Sequence, residues 1–118
     1  MNNERRFNIE TGFIKDAELV KPLKVGAAFL SDQESYYTIR LMMFPNQCYY
    51  MTKNQDGGHY TIFSKKIDTN VLPKFLNPVG RGLLDANLKS YLILNFVFPR
   101  STLYMDLFGS RKESHDES

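Results

Sequence analysis

An all-β domain is indicated by three features of this sequence. Apolar and polar residues alternate with period two over short segments, as in residues 36–44 and 101–108. Pro, Gly, Asn and Asp separate these segments, and the chain is rich in Tyr and Phe, which favour strands. A helical pattern is confined to one or two turns around residues 83–88. The sequence therefore predicts a small β-barrel.

The first half of the chain contains a predicted meander. Residues 25–31 (VGAAFLS) form a strand, and three more strands, 36–44, 48–53 and 59–67, follow with the short turns PNQ and NQDGG between the last three. Alternation in the strand 36–44 divides its residues between two faces. One face carries Tyr37, Ile39, Leu41 and Met43, and the other carries Tyr36, Thr38, Arg40, Met42 and Phe44.

The second half is predicted to start with one long connection. Residues 68–90 include two prolines and two glycines without sustained alternation, so we expect a long loop or short helix there. Strands then follow at 91–98, which Pro99 stops, and at 101–108. Near the N-terminus, a further strand is expected around residues 12–14, and Pro22 is expected to separate it from the segment that follows. The three meander strands 36–44, 48–53 and 59–67 and the last pair make five main strands, in one barrel domain spanning residues 1–110.

Length and cysteine content limit the class of protein. A chain of 118 residues is one ordinary domain. The single cysteine, Cys48, excludes an internal disulfide and a zinc ribbon. The N-terminal residues lack the apolar core of a signal peptide, and no apolar run approaches the roughly 20 residues of a membrane helix. We therefore expect a cytoplasmic protein in a reducing compartment, without a membrane partner.

Charge is distributed unevenly along the chain. Residues 111–118 hold three acidic and two basic residues and are predicted to form a flexible acidic tail. The rest of the chain has 13 Lys and Arg against 10 Asp and Glu, because the totals are 15 and 13. This mild positive bias is weaker than that of a protein that clamps duplex DNA.

Residues suited to catalysis or metal binding are few. His59 would have to act almost alone, and a Cys48–His59 pair lacks a third orienting group. Asp32 and Asp56 occupy turns, where Asp is favoured for its side-chain geometry. We therefore predict no catalytic residue, no metal and no cofactor. NPVGRG, residues 77–82, lacks the remainder of a phosphate-binding loop but presents Arg81 between two glycines.

Rings and cations alternate along the predicted strands. Single-stranded nucleic acid requires this combination, since bases stack on rings and cations contact the phosphates. By alternation, Tyr49 is expected to share the outer face with Lys53, and Tyr50 to face the core; a one-residue slip would exchange the two. The candidate stacking residues are Tyr36, Tyr49 and Tyr60, and the candidate phosphate contacts are Arg40, Lys53, Lys65, Lys66 and Arg81.

The basic, aromatic-rich five-strand layout with a short acidic tail (KESHDES) resembles the small single-stranded-DNA-binding proteins of bacteriophages. The resemblance implies a five-stranded OB-like Greek-key barrel with DNA across its middle strands. It also implies homo-oligomers, a role in DNA replication or recombination, and location in the host cytoplasm if the protein is viral. Replication or recombination proteins would be further partners.

Two other classes of function remain open from the sequence. The same tyrosines could lie at the interface of a β-barrel or β-sandwich protein-interaction module, such as a viral assembly component, because Tyr and Arg are also enriched in protein interfaces. An enzyme is the third alternative, and the missing general base and metal ligands disfavour it.

Overall fold

The computed structural model describes residues 5–31, 35–55, 57–85, 88–97 and 101–107. The predicted all-β class is confirmed. Within these residues, no helix has the length and apolar character needed to cross a membrane. The strands are β1 (Arg6–Lys15), β2 (Glu18–Leu30), β3 (Tyr37–Leu41), β4 (Cys48–Lys53), β5 (His59–Ile67), β6 (Lys74–Asp85), β7 (Leu88–Phe96) and β8 (Ser101–Asp106).

The eight strands form one closed antiparallel barrel. Each strand pairs with the next in the sequence, and β8 pairs with β1 to close the sheet. An OB-fold instead has five strands in Greek-key order. The predicted five-stranded OB-like barrel is therefore wrong in strand number and in connectivity.

The long connection predicted at residues 68–90 is largely strand, because β6 occupies most of it. Gly80 is accommodated within the sheet, since a Cβ there would lie 2.4 Å from the carbonyl oxygen of Asn95 on β7. Pro78 lies at a register shift, where Ile62 pairs with Gly80 but Phe63 pairs with Pro78. These residues suggested a loop, but they mark a close strand contact and a bulge instead.

Strands β1 and β2 are longer than predicted, and Pro22 does not end β2. The register passes from Thr11 opposite Leu23 to Phe13 opposite Val20, so Pro22 falls in an irregularity of the ladder. Lys21 has a φ of 54° there. A proline within such a bulge does not remove a ladder hydrogen bond.

The predicted bounds of β4 and β5 are confirmed, whereas β3 ends earlier than expected. Met42 and Met43 follow its last residue, Leu41, in a turn and are exposed. A hydrogen bond from the Phe44 N–H to the Leu41 carbonyl closes that turn. Apolar alternation therefore continued past the end of the strand.

The barrel interior is a packed apolar core. Partly buried rings, including those of Tyr37, Tyr49 and Tyr60, pack against it. Close packing of this kind fixes which face of each strand points inward. The buried apolar residues are Ile9, Ala27, Ala28, Ile39, Leu41, Met51, Ile62, Leu92, Leu94, Phe96, Leu103 and Met105.

The seam between the first and last strands closes the barrel. Ile9 pairs with Met105, and Glu10 pairs with Tyr104. On β7, the Tyr91 hydroxyl donates to Glu10 Oε1 at 3.5 Å, and its ring meets that of Tyr104 edge-on at 6.4 Å. Burial, followed by the nearby carboxylates of Glu10 and Asp106, raises the pKa of Tyr91 to about 12.

Gly26→Ala tests the close approach of β2 and β3. A Cβ at Gly26 would lie 2.4 Å from the carbonyl oxygen of Arg40, so we expect a loss of about 1–3 kcal/mol in the free energy of unfolding. Urea denaturation measures this loss. Gly58→Ala is the matched control, because a Cβ at Gly58 would have no other atom within 4 Å. Equal losses in the two variants would contradict the close approach.

The raised pKa of Tyr91 predicts a loss of stability at alkaline pH. The folded protein retains the Tyr91 proton up to a pKa of about 12, whereas the unfolded chain releases it near 10.0. The free energy of unfolding should therefore fall as the pH rises from 10 towards 12. In Tyr91→Phe this fall should be shallower. Denaturant unfolding at a series of pH values measures it, and identical pH dependence in both proteins would rule out this contribution.

Candidate nucleic-acid interface

The faces of β4 and β5 are set by two fully buried residues. Met51 and Ile62 pair with each other across the strands, and both side chains are 0% exposed. Tyr49 lies two residues from Met51 and Tyr60 two residues from Ile62, so both rings point to the inner side. The predicted assignment of Tyr49 to the outer face is therefore wrong, and Tyr50 faces outward instead.

Contacts of the two inner rings agree with this assignment. The ring of Tyr49 meets buried Phe96 edge-on at 5.5 Å, and the ring of Tyr60 meets that of Tyr37 at 6.3 Å. Burial raises the pKa of Tyr49. Tyr49 and Tyr60, two of the three tyrosines predicted to stack with bases, thus contribute to packing on the core side.

A continuous row of cross-strand partners lies on the outer face. Residues opposite each other on antiparallel strands share a face, and adjacent strands lie about 4.8 Å apart. Tyr50 is next to inward-facing Met51, so its partners face outward with it. We call this set the outer row; in strand order from β1 to β6, it consists of Arg6, Phe29, Thr38, Tyr50, Phe63 and Pro78.

Four rings form a cluster around the middle of the outer row. Phe75 on β6 lies 5.2 Å from Tyr36, 6.0 Å from Tyr50 and 5.8 Å from Phe63, measured between ring centroids. Tyr36 and Tyr50 are 6.5 Å apart. All four side chains are partly exposed. We call Tyr36, Tyr50, Phe63 and Phe75 the ring cluster.

Lys66 lies over the ring cluster. Its Nζ is 5.4 Å from the ring centre of Tyr36 and 5.7 Å from that of Tyr50, and it donates to the Tyr36 hydroxyl at 3.3 Å. Asp68 forms an ion pair with it at 3.5 Å. The hydrogen bond to Tyr36 is the main cause that raises the pKa of Lys66. The ammonium therefore stays charged against the rings.

Three cations line a second part of the outer surface. Arg6 on β1, Lys24 on β2 and Arg40 on β3 surround a cleft of about 340 Å³. Phe29 also lines it, and the Arg6 guanidinium lies 5.9 Å from the centre of this ring. We call Arg6, Lys24, Arg40 and Phe29 the basic cleft. Because Arg6 and Phe29 belong to the outer row, the cleft and the ring cluster share one surface.

The two arginines of the basic cleft have neutral hydrogen-bond partners within the described part of the chain. Arg6 donates to the Asn8 amide oxygen at 3.2 Å, and Arg40 donates to Cys48 Sγ at 3.5 Å. Among the residues described by the structure, no Asp or Glu forms an ion pair with Arg6, Lys24 or Arg40. Their positive charge is available to an anionic ligand.

The remaining predicted contacts lie elsewhere on the barrel. Lys53 is exposed at the end of β4, and Lys65 is exposed on β5. Arg81, on β6, lines a separate cleft of about 440 Å³ with His59 and Asn54. The structure thus places Tyr36, Arg40 and Lys66 on the outer surface around the row.

Four important residues were missed by the sequence reading. Phe75 was assigned to a loop, and Arg6, Lys24 and Phe29 belong to strands whose bounds were misjudged. Register in β1 and β2 is the signal that would have found the last three, since it places Arg6 opposite Phe29 and Lys24 opposite Glu10. Asp32, Asp56 and residues 111–118 lie outside the described residues.

Comparisons with known proteins identify no relative. No protein-family model matches the chain, and neither a curated protein nor a solved structure does so. Within the described part of the chain, no group of His, Cys, Asp and Glu side chains is arranged to hold a metal ion.

Lys66→Met tests the cation on the ring cluster. The substitution keeps the apolar stem but removes the charge, so the free energy of unfolding should fall by about 0.5–1 kcal/mol. Lys65→Met is the control, since Lys65 is exposed beside it on the same strand. Urea denaturation measures both. If the two variants lose the same amount, the ammonium does not stabilise the cluster.

Proposed function

We propose that this protein binds single-stranded DNA along the outer row, without sequence readout and without chemistry. One observation carries the proposal: the strand register aligns partly exposed rings in a row that has the basic cleft at one end and Lys66 beside its ring cluster. Stacking rings combined with nearby cations are what sequence-tolerant binding of single strands requires.

Bases would stack on the rings of the row. Thr38 lies between Phe29 and Tyr50 in the row, so these two rings are two strand spacings, or about 10 Å, apart. Phe63 lies on the next strand, about 5 Å beyond Tyr50. Phe29 is 38% exposed, so its ring is accessible. Each stacked base contributes about 1–3 kcal/mol. Thr38 offers a small side chain between two rings.

Phosphates would contact cations at both sides of these rings. The basic cleft supplies Arg6, Lys24 and Arg40, and the ring cluster supplies Lys66. A phosphate bound at Lys66 would displace the carboxylate of Asp68 from its ion pair. The Asp68 side chain is 82% exposed, so water can solvate it after displacement. Arginine adds bidentate geometry toward phosphate oxygens, which lysine lacks.

The biological role follows from such binding. We propose that the protein covers exposed single strands during replication or recombination in the cytoplasm, as the small bacteriophage single-stranded-DNA-binding proteins do, but on an eight-stranded barrel. Homo-oligomers along one strand and contacts with replication or recombination proteins belong to the same proposal. No cofactor takes part.

One observation favours a protein-interaction module as the second candidate. Val71 and Leu72, in the connection from β5 to β6, are 83% and 69% exposed. They precede Phe75 of the ring cluster in the sequence. Exposed apolar side chains beside rings are also typical of a surface that binds another protein.

Two substitutions should weaken DNA binding in different ways. Arg40→Gln removes a phosphate contact, so the slope of log K against log salt should decrease in magnitude by about 0.7. Tyr50→Leu removes a stacking ring but keeps an apolar side chain, so binding should weaken by about 1–3 kcal/mol with an unchanged slope. Fluorescence titration of a mixed-sequence single strand at several salt concentrations measures both quantities.

Controls come from the far end of β1. Lys15→Gln removes a cation, and Phe13→Leu removes a ring that is 67% exposed, both outside the outer row. Neither should change affinity. The duplex and the matching RNA serve as further ligands. If the unmodified protein binds none of them at low salt, the nucleic-acid proposal fails and the interaction module becomes the better explanation.

A further inference from the structure

Among the residues that the structure describes, the outer row begins at Arg6 on β1. Between the described residues of β1 and β8, the paired positions are Ile9 with Met105 and Glu10 with Tyr104. No described residue of β8 therefore pairs with Arg6 to extend the row. The basic cleft lies beside Arg6, within reach of the terminal nucleotide of a strand whose end lies on this side of the row.

The charge in the basic cleft exceeds what one internal phosphate requires. An internal phosphodiester carries a single negative charge, whereas three cations line the cleft. Glu10 is the cross-strand partner of Lys24 and keeps its negative charge while it accepts the hydrogen bond from Tyr91, so one carboxylate offsets one of the three cations. A terminal phosphate monoester carries about −1.5 to −2 at pH 7 and matches the excess better.

The shape of the cleft fits a phosphate with an adjoining base. Gly26 and Ala27 contribute to its lining with little side-chain bulk, and both are buried. Phe29 and Met42 add exposed apolar surface, with Met42 62% exposed. The volume of about 340 Å³ lies within the range of sites for small molecules.

We propose that the basic cleft binds the terminal phosphate monoester of a single strand, with the adjoining base on Phe29. Arg6, Lys24 and Arg40 hold the phosphate oxygens through charge-assisted hydrogen bonds. This inference rests on the proposed binding of single strands. A free mononucleotide presents the same chemistry, namely a phosphate monoester next to a base.

The experiment compares three oligonucleotides of identical sequence. One carries a 5′-phosphate, one a 3′-phosphate and one no terminal phosphate, and each is titrated against the full chain. One phosphorylated end should bind at least about tenfold more tightly than the unphosphorylated oligonucleotide. Lys24→Gln should remove that preference, because Lys24 is one of the three cations that line the cleft. Lys24 is exposed and lies outside the outer row, so the substitution leaves the row intact. Lys15→Gln should retain it.

The outcomes separate the two proposals. If the three oligonucleotides bind equally well, the cleft does not select a terminal phosphate, while binding along the row still holds. A preference that survives in Lys24→Gln would also overturn the inference, since the phosphate would then be bound elsewhere. If no oligonucleotide binds, the proposed function fails. A mononucleotide, titrated in parallel, then decides whether the cleft is a nucleotide site that Lys24→Gln abolishes.

Discussion

Packing of Met51 against Ile62 inside the barrel is the contact on which the outer surface depends. Both side chains are fully buried, and they pair across β4 and β5. A shift of either strand by one residue would move these apolar groups into water and bring Tyr50 or Phe63 inside. The core therefore determines which rings form the outer row. The outer row and the core depend on the same strand register, so a change that loosens the core would also disturb the alignment of the rings.

The two parts of the surface have different physical characters. In the ring cluster, Lys66 is already bound to Tyr36 and Asp68, so a ligand there must replace existing contacts. In the basic cleft, Arg6 and Arg40 have only neutral hydrogen-bond partners among the described residues, so a ligand adds contacts to uncompensated charge. Electrostatic attraction should therefore begin at the cleft, and stacking would follow along the row. Salt would weaken the first step more than the second.

The sequence predicts the all-β class and strands β4 and β5 well, because alternation and turn residues act locally. It places Tyr37, Ile39 and Leu41 on one face of β3, as the structure does. The inner face of β4 was misjudged because the rings of Tyr49 and Tyr50 satisfy either side, and burial of Met51 decides between them. Strand β6 was missed because the effect of Gly80 and Pro78 depends on β7 and β5, which are distant in sequence. The basic cleft depends in the same way on the pairing of β1 with β2 and of β2 with β3.

The seam between β1 and β8 differs from the other strand pairings because its two strands lie at opposite ends of the sequence. Every other strand pairing joins sequence neighbours, so those hairpins can form with small loop-closure entropy. Closing the seam orders nearly the whole chain at once, and within the described residues it pairs Ile9 with Met105 and Glu10 with Tyr104. It should be the last pairing to form and the first to open in local fluctuations. Hydrogen exchange at Ile9 and Met105 would then report on opening of the barrel, even though both side chains belong to its core.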